Sequence, residues 1–386
     1  MRKIRIFAAV ALAVTLSASL AGCAKSDARK LYSTASAELE KKNYDDAATD
    51  FQKVIDEGYY LPESYRGLGL AQMCGQDYPD ASISFEKSLL NVEGQSRSFQ
   101  RDVNLYLAHC REMQGETEKA IDIYNDLINQ NADSEVLFLR GRLLLKTDQD
   151  SAAEADFDRA VQLSSDYVLY INIYEVYADE DKGADGSRYL EEALKTANAT
   201  ADDYYHQGLI HYYLQDYDDA RDALTKALKA DSEDTASLYL LGKVYLATGD
   251  TADARAVYKD YVSDKENGAG AYNGLALCDI ADGNYDSALQ NIKDGLTFND
   301  SSVNQALLYN EIVVYEKQHD WSTATSLAAS YIASYPSDEA GLKEYEFLSS
   351  RSSDGGSDST AAASSGSSVA AADSTGTAAG TASAAS

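Results

Sequence analysis

Alanine recurs along this chain with a period close to 34 residues, at Ala47, Ala81, Ala120, Ala153, Ala220, Ala254, Ala288 and Ala324, with Gly186 in the fifth place. The steps are 34, 39, 33, 33, 34, 34, 34 and 36. A period of this length is longer than one helix and shorter than a domain. It admits one kind of architecture, a short supersecondary unit repeated in line, each copy burying its apolar face against its neighbours. Chain length then sets the number of copies instead of the number of domains.

Residues 235–262 show what is repeated. Leu238, Leu241, Gly242 and Tyr245 fall at i, i+3, i+4 and i+7, one face of a helix. Gly249 can take the left-handed conformation that ends that helix, and Asp250 offers a side-chain oxygen to the unpaired N–H groups of the next. Ala254, Tyr258, Tyr261 and Val262 form the second apolar stripe. Gly242 and Ala254 are small where the two helices cross, which lets the backbones approach. This segment resembles the tetratricopeptide repeat, with its large, Leu and small residues followed by Ala, aromatic and Ala. The resemblance implies an all-α fold, a right-handed superhelical solenoid of nine helix-turn-helix repeats.

Three places depart from the period. Five extra residues within Asn91 to Gln100 predict a longer loop or an extended second helix. In the fifth repeat ADEDKGADG replaces the usual turn, a candidate hinge. GLKEYEFLSS, residues 341–350, reads as a polar helix covering the last apolar face. The solenoid is therefore expected over 28–350. Residues 351–386 collapse to Ser, Ala, Gly, Thr and Asp, a composition with too little apolar surface to fold.

At the other end, residues 1–22 have the form of an export signal: basic Arg2, Lys3 and Arg5, an apolar run from Ile6 to Leu16, then SASLAG. The run is too short for a membrane span. Leu20-Ala21-Gly22-Cys23 resembles the bacterial lipobox, which implies cleavage before Cys23 and lipid on its sulfur. Residues 23–27 would be a short extended tether, reaching about 14 Å over four residues. The expected location is the extracytoplasmic face of a cell membrane, with lipid as the sole membrane contact.

Charge and reactive residues narrow the function further. The chain carries 33 Lys and Arg against 63 Asp and Glu, a net charge of −30, which argues against nucleic acid as a partner and favours basic or neutral proteins. The four cysteines form no CxxC pair; Cys110 and Cys278 share one repeat position and are expected to be buried small hydrophobes. His206 and His211 are five residues apart, about 140° around a helix, so they do not share a face. No phosphate loop, nucleophile elbow or HExxH occurs, so neither an enzymatic role nor a cofactor is implied. DKGADGSRYLEE, residues 181–192, has Asp181, Asp185 and Glu192 at calcium-loop positions but Gly183 where a ligand is needed. It is also readable as a polar turn.

What remains is a binding surface. Most of the 29 tyrosines occupy scaffold positions. In the resembling family the concave groove is lined by first-helix residues set off from the scaffold ones, which implies Tyr205, Tyr212, Tyr239, Lys243, Asn273 and Tyr309, joined by Phe138 and Arg142. Tyr205, Tyr239, Asn273 and Tyr309 hold one position in repeats six to nine. Such a row suits an extended peptide of an envelope or secreted protein, because tyrosine offers large contact area with little rotamer entropy to lose. The groove residues are expected to be exposed.

Overall fold

The apolar stripes become helices and the polar segments between them become turns. The computed structural model describes residues 23–196, 200–232, 234–262, 268–336 and 338–353, and the expected signal segment and most of the expected tail lie outside these. Among the described residues there are nineteen α-helices and no strand. Repeats one to four are α1 (Cys23–Glu40) with α2 (Tyr44–Asp56), α3 (Leu61–Cys74) with α4 (Tyr78–Leu90), α5 (Arg97–Met113) with α6 (Thr117–Asn131), and α7 (Ser134–Lys146) with α8 (Asp150–Leu163). Repeat five is α9 (Tyr167–Asp179) with α10 (Gly183–Ala193), followed by a short 3-10 turn, Leu194–Thr196. Repeats six to nine are α11 (Ala201–Tyr213) with α12 (Tyr217–Ala230), α13 (Thr235–Thr248) with α14 (Thr251–Val262), α15 (Gly268–Ala281) with α16 (Tyr285–Leu296), and α17 (Ser301–Lys317) with α18 (Trp321–Ser334). The last helix, α19 (Glu339–Ser353), packs on α18. No described helix is long and apolar enough to cross a membrane.

Every alanine of the period lies in a second helix and is 0% exposed, and Gly186 is buried in the same place. Smallness is needed because a large residue of the second helix fills the space beside the first. A Cβ added to Gly69, Gly141 or Gly242 would fall 2.6, 2.7 or 2.5 Å from the ring of Phe85, Phe157 or Tyr258, each four residues after its alanine. The ring also reaches the following repeat. Phe51 fills the space over Gly67, and Tyr258 that over Gly274, where a Cβ would sit 2.4 Å away in both cases. One aromatic thus joins its own repeat to the next, the nearest-neighbour coupling of a linear array.

The turn inside each repeat has one conformation. The residue five before the alanine has positive φ in all nine: Lys42, Gln76, Gly115, Asp148, Asp181, Gln215, Gly249, Gly283 and His319, between 57° and 82°. Glycine takes this conformation freely, whereas the six other residues hold it against a penalty of about 1–2 kcal/mol. Gly249 ends α13 as expected, its N–H bonding to the Leu246 and Tyr245 carbonyls. The Asp250 carboxylate, expected to cap α14, instead accepts from the Thr248 hydroxyl at 2.9 Å. Aspartate does cap elsewhere: Asp133, Asp166, Asp234 and Asp300 each accept a backbone N–H at the start of a first helix.

The insertion forms the longer loop that was one of its two expected forms, six residues between Leu90 and Arg97 against four between Asp56 and Leu61, and it also lengthens the following first helix: α5 has 17 residues against 14 in α3, and Ser96 caps it by accepting from Phe99 N at 3.1 Å. Three other sequence expectations are corrected. The fifth repeat keeps a turn of ordinary length, because Ala178 and Asp179 complete α9 while Gly183 to Gly186 begin α10. The segment 23–27 is not extended but is the start of α1, so four residues rise about 6 Å instead of 14 Å. At the other end α19 continues through Ser353, past the expected tail boundary at 351.

The chain divides into two compact units, one ending at Asp181 and the other beginning at Lys182, inside the turn read as a candidate hinge. In the first, Phe51, Phe85, Val103 and Cys110 belong to one buried cluster. In the second, the apolar clusters follow the repeats from Leu224 and Val244 to Tyr331 and Leu348. Cys110 and Cys278 are 0% exposed, and burial pushes their thiols up to about 12 and about 11, which leaves them unreactive; Cys74 is half-buried and unpaired.

Candidate functional site

In the unit beginning at Lys182 the first helices α11, α13, α15 and α17 are successive neighbours. Each turns a stripe at i, i+4 and i+7 to the same side: Tyr205, Leu209 and Tyr212; Tyr239, Lys243 and Leu246; Asn273, Leu277 and Ile280; Tyr309, Val313 and Glu316. None of these twelve side chains is fully exposed. The expectation of exposed groove residues is therefore corrected. The four tyrosines are half-buried, while Lys243 and Asn273 are 9% and 3% exposed. Neighbouring repeats supply large side chains that cover one another.

The contacts show how each is held. Lys243 places Nζ 4.9 Å from the Tyr212 ring centroid and 5.9 Å from that of Tyr239, a cation over two aromatic faces. Tyr239 in turn stacks at 6.0 Å on Tyr258 and 6.3 Å on Tyr261. Tyr205 packs with Leu209, Tyr212 and Tyr217 on the buried cluster of Leu224 and Leu240. The side-chain oxygen of Asn273 accepts from the Asn310 amide at 2.8 Å, so Asn273 is spent on the scaffold between α15 and α17. Tyr309 meets Tyr331 edge-on at 5.8 Å. Burial, then the nearby Glu344, Glu316 and Asp338 carboxylates, push its hydroxyl up to about 12.

The structure thus brings together Tyr205, Tyr212, Tyr239 and Lys243 as one aromatic wall with a cation in it, and sets Tyr309 at its far end beside acidic groups. Those acidic groups, Glu316 and Glu344, were missed in the sequence. Glu316 stands seven residues after Tyr309, a spacing that could have flagged it, but Glu344 lies on another helix. Phe138 and Arg142, in the other unit, are engaged in its own packing: Phe138 is 5% exposed against Phe157, and Arg142 pairs with Glu112 at 2.5 Å.

The calcium loop does not form. Gly183–Ala193 is a continuous helix, so Asp185 and Glu192 stand seven residues apart, about 10.5 Å along its axis, too far to share an ion; Asp181 precedes that helix. Among the described residues no group of three His, Cys, Asp or Glu side chains could hold a metal. His206 Nδ1 lies 2.9 Å from the Asp202 carbonyl, and His211 Nδ1 lies 3.7 Å from the Asp216 carboxylate.

Comparison with known proteins bears on the fold. Models of the tetratricopeptide repeat match residues 102–134 and 205–272, the second spanning α11 to the start of α15. No curated protein matches. Among solved structures, yeast Tom70 is similar at 15% identity, covering 86% of this chain and 89% of its own, with a TM-score of 0.47. A tetratricopeptide repeat protein of Parabacteroides merdae is similar at 16% identity, 76% and 97% coverage and a TM-score of 0.44. YrrB, described as a TPR protein with an unusual peptide-binding site, is similar at 22% identity over 49% of this chain and 97% of its own, with a TM-score of 0.33.

Proposed function

We propose that this protein is a scaffold that holds an extended segment of an envelope or secreted protein against the first-helix face of repeats six to nine. The observation that carries this reading is the wall of Tyr205, Tyr212 and Tyr239, half-buried rings of which the last two hold the Lys243 ammonium over their faces. Such rings are already ordered, so a ligand gains contact area at little entropic cost. Packed helices lie roughly 8–10 Å apart, which an extended chain covers in about three residues. The acidic surface favours a partner of mixed or basic charge.

A photo-crosslinking residue placed at 205 or 239 in intact cells should capture the partner, whereas one at Asp253, exposed on α14, should not. Equal capture from both positions would exclude the first-helix face. Because Tyr205 and Tyr239 also support the core, alanine there would confound binding with folding; Tyr205→Phe with Tyr239→Phe keeps the packing and should weaken capture about tenfold through two lost hydroxyl bonds.

We infer further that the chain is anchored at the extracytoplasmic side of a membrane through lipid on Cys23, on the strength of the Leu20-Ala21-Gly22-Cys23 motif and the export signal before it. Two or three acyl chains, at about 0.8 kcal/mol per buried methylene, would outweigh repulsion of the acidic body. Cys23→Ala should then move the protein from the membrane fraction to the soluble one with its helical spectrum unchanged. Full membrane retention would show that another anchor holds it.

A further inference from the structure

Gly270, in the first turn of α15, has no steric reason to be glycine. At every other glycine within a first helix, among the described residues, an added Cβ would fall 2.3–2.7 Å from a neighbouring side chain, so packing demands its smallness. A Cβ on Gly270 would instead lie 3.6 Å from the Tyr261 ring and 3.7 Å from the Tyr239 ring, ordinary van der Waals contact. Its backbone is helical, with no positive φ to favour glycine. Alanine would fit there and would hold the helix better. What glycine keeps is room, a half-buried gap bounded by Tyr239 of α13 and Tyr261 of α14.

A second local defect lies in the same seam. Tyr258 of α14 is 0% exposed, and its Cζ, the carbon that bears the hydroxyl, would lie 2.5 Å from a Cβ on Gly242 of α13 and 2.4 Å from one on Gly274 of α15. The hydroxyl end therefore stands between α13 and α15, one helical turn from Gly270, which shares a face with Gly274. There it has no hydrogen-bond partner, and buried donors without an acceptor are rare in folded proteins. The Tyr239 ring stands beside both features, 6.0 Å from the Tyr258 ring and next to the space over Gly270. An unneeded glycine and an unpaired donor both weaken the fold locally, and such violations gather where a ligand binds.

We propose, on the basis of the first-helix face described above, that this seam is a proline site: the ring of a proline in a polyproline II segment lies on Tyr239 over Gly270, and a carbonyl of that segment accepts from the Tyr258 hydroxyl. The chemistry of the wall selects this class. Helix backbones are hydrogen-bonded internally, so the face offers a bound chain no backbone acceptors, and the N–H groups of an ordinary extended segment would be buried unpaired. Proline has no N–H. Polyproline II turns once every three residues with a rise of about 3.1 Å each, roughly 9 Å per turn. Packed helices lie roughly 8–10 Å apart, so successive turns of the segment meet successive repeats in one register. Aromatic-lined grooves suit such segments, which are already ordered and lose little entropy on binding. The Tyr258 hydroxyl is closed to solvent in the free chain, so binding includes a shift of the Tyr239 ring that opens it.

Calorimetry of the full chain with a ten-residue oligoproline, against a Gly-Ser peptide of equal length, tests the site. The oligoproline should bind and the Gly-Ser peptide should not. Gly270→Ala should weaken binding about tenfold by filling the gap, with a melting temperature at or above that of the wild type. Tyr258→Phe keeps the ring and should also weaken binding about tenfold, through one lost hydrogen bond, again with no loss of melting temperature. A glycine and a hydroxyl of structural importance only would alter melting and leave affinity alone. No oligoproline binding at about 1 mM, equal binding of the two peptides, or unchanged affinity in either variant overturns the proline site. The underlying face is tested separately. If crosslinking from 205 or 239 captures a partner while oligoproline does not bind, the face stands and the proline site falls; equal capture from 253 removes both.

Discussion

Replacing Tyr258 with alanine is expected to destabilise the unit beginning at Lys182 by about 3–5 kcal/mol, while replacing it with phenylalanine is expected to stabilise that unit by about 1 kcal/mol. The ring is 0% exposed and fills the space left by two glycines, Gly242 of its own repeat and Gly274 of the next. Its removal opens a cavity at the joint between repeats seven and eight, where the backbones cannot collapse without moving both first helices. The hydroxyl is buried and has no hydrogen-bond partner. Phenylalanine keeps the packing and removes that unsatisfied group. Urea unfolding followed by circular dichroism, with hydrogen exchange to locate the loss, would measure both changes. A costly phenylalanine would mean that the hydroxyl is bonded in solution, and a mild alanine that the two repeats are not coupled through this ring.

The second large effect is expected at Asp156, in the unit that ends at Asp181. Arg140 of α7 forms a two-pronged ion pair with it, Nε to Oδ2 at 2.7 Å and Nη2 to Oδ1 at 2.6 Å, and sends Nη1 to the Asn125 oxygen at 2.6 Å on α6. One guanidinium thus ties three helices together. The side chains are 22% and 6% exposed, so Asp156→Ala leaves a largely desolvated cation without its counter-ion, at a cost of about 3 kcal/mol. Replacing both residues, Arg140→Met with Asp156→Leu, should cost much less, because two apolar side chains of similar bulk need no partner. If the single and double variants melt together, the charge is not what α7 and α8 depend on.

Much of this fold was legible because it depends on local spacing. The alanine period located all nine second helices, and Gly249 located a helix end. The glycines of the first helices marked where a ring would press. The site was legible only as a row of positions. Sequence spacing places Tyr205, Tyr239, Asn273 and Tyr309 on one side of their helices, and the structure agrees on the side. It could not show that Asn273 is bonded to Asn310 or that Lys243 lies between two rings, because those partners come from other helices.

By itself the sequence determined the register of the array, since a small residue every 34 or so positions and an apolar stripe at helical spacing are properties of the chain taken one repeat at a time. Tertiary structure alone decided the rest. The left-handed turn recurs at Lys42, Gln76, Asp148, Asp181, Gln215 and His319, residues with no local preference strong enough to announce it. It is imposed because the packing of the two helices on either side outweighs its cost. Burial of the tyrosine row likewise depends on side chains roughly 30 residues away, brought opposite by stacking. Periodicity states where a repeat begins; what stands across from each side chain is a property of two repeats together.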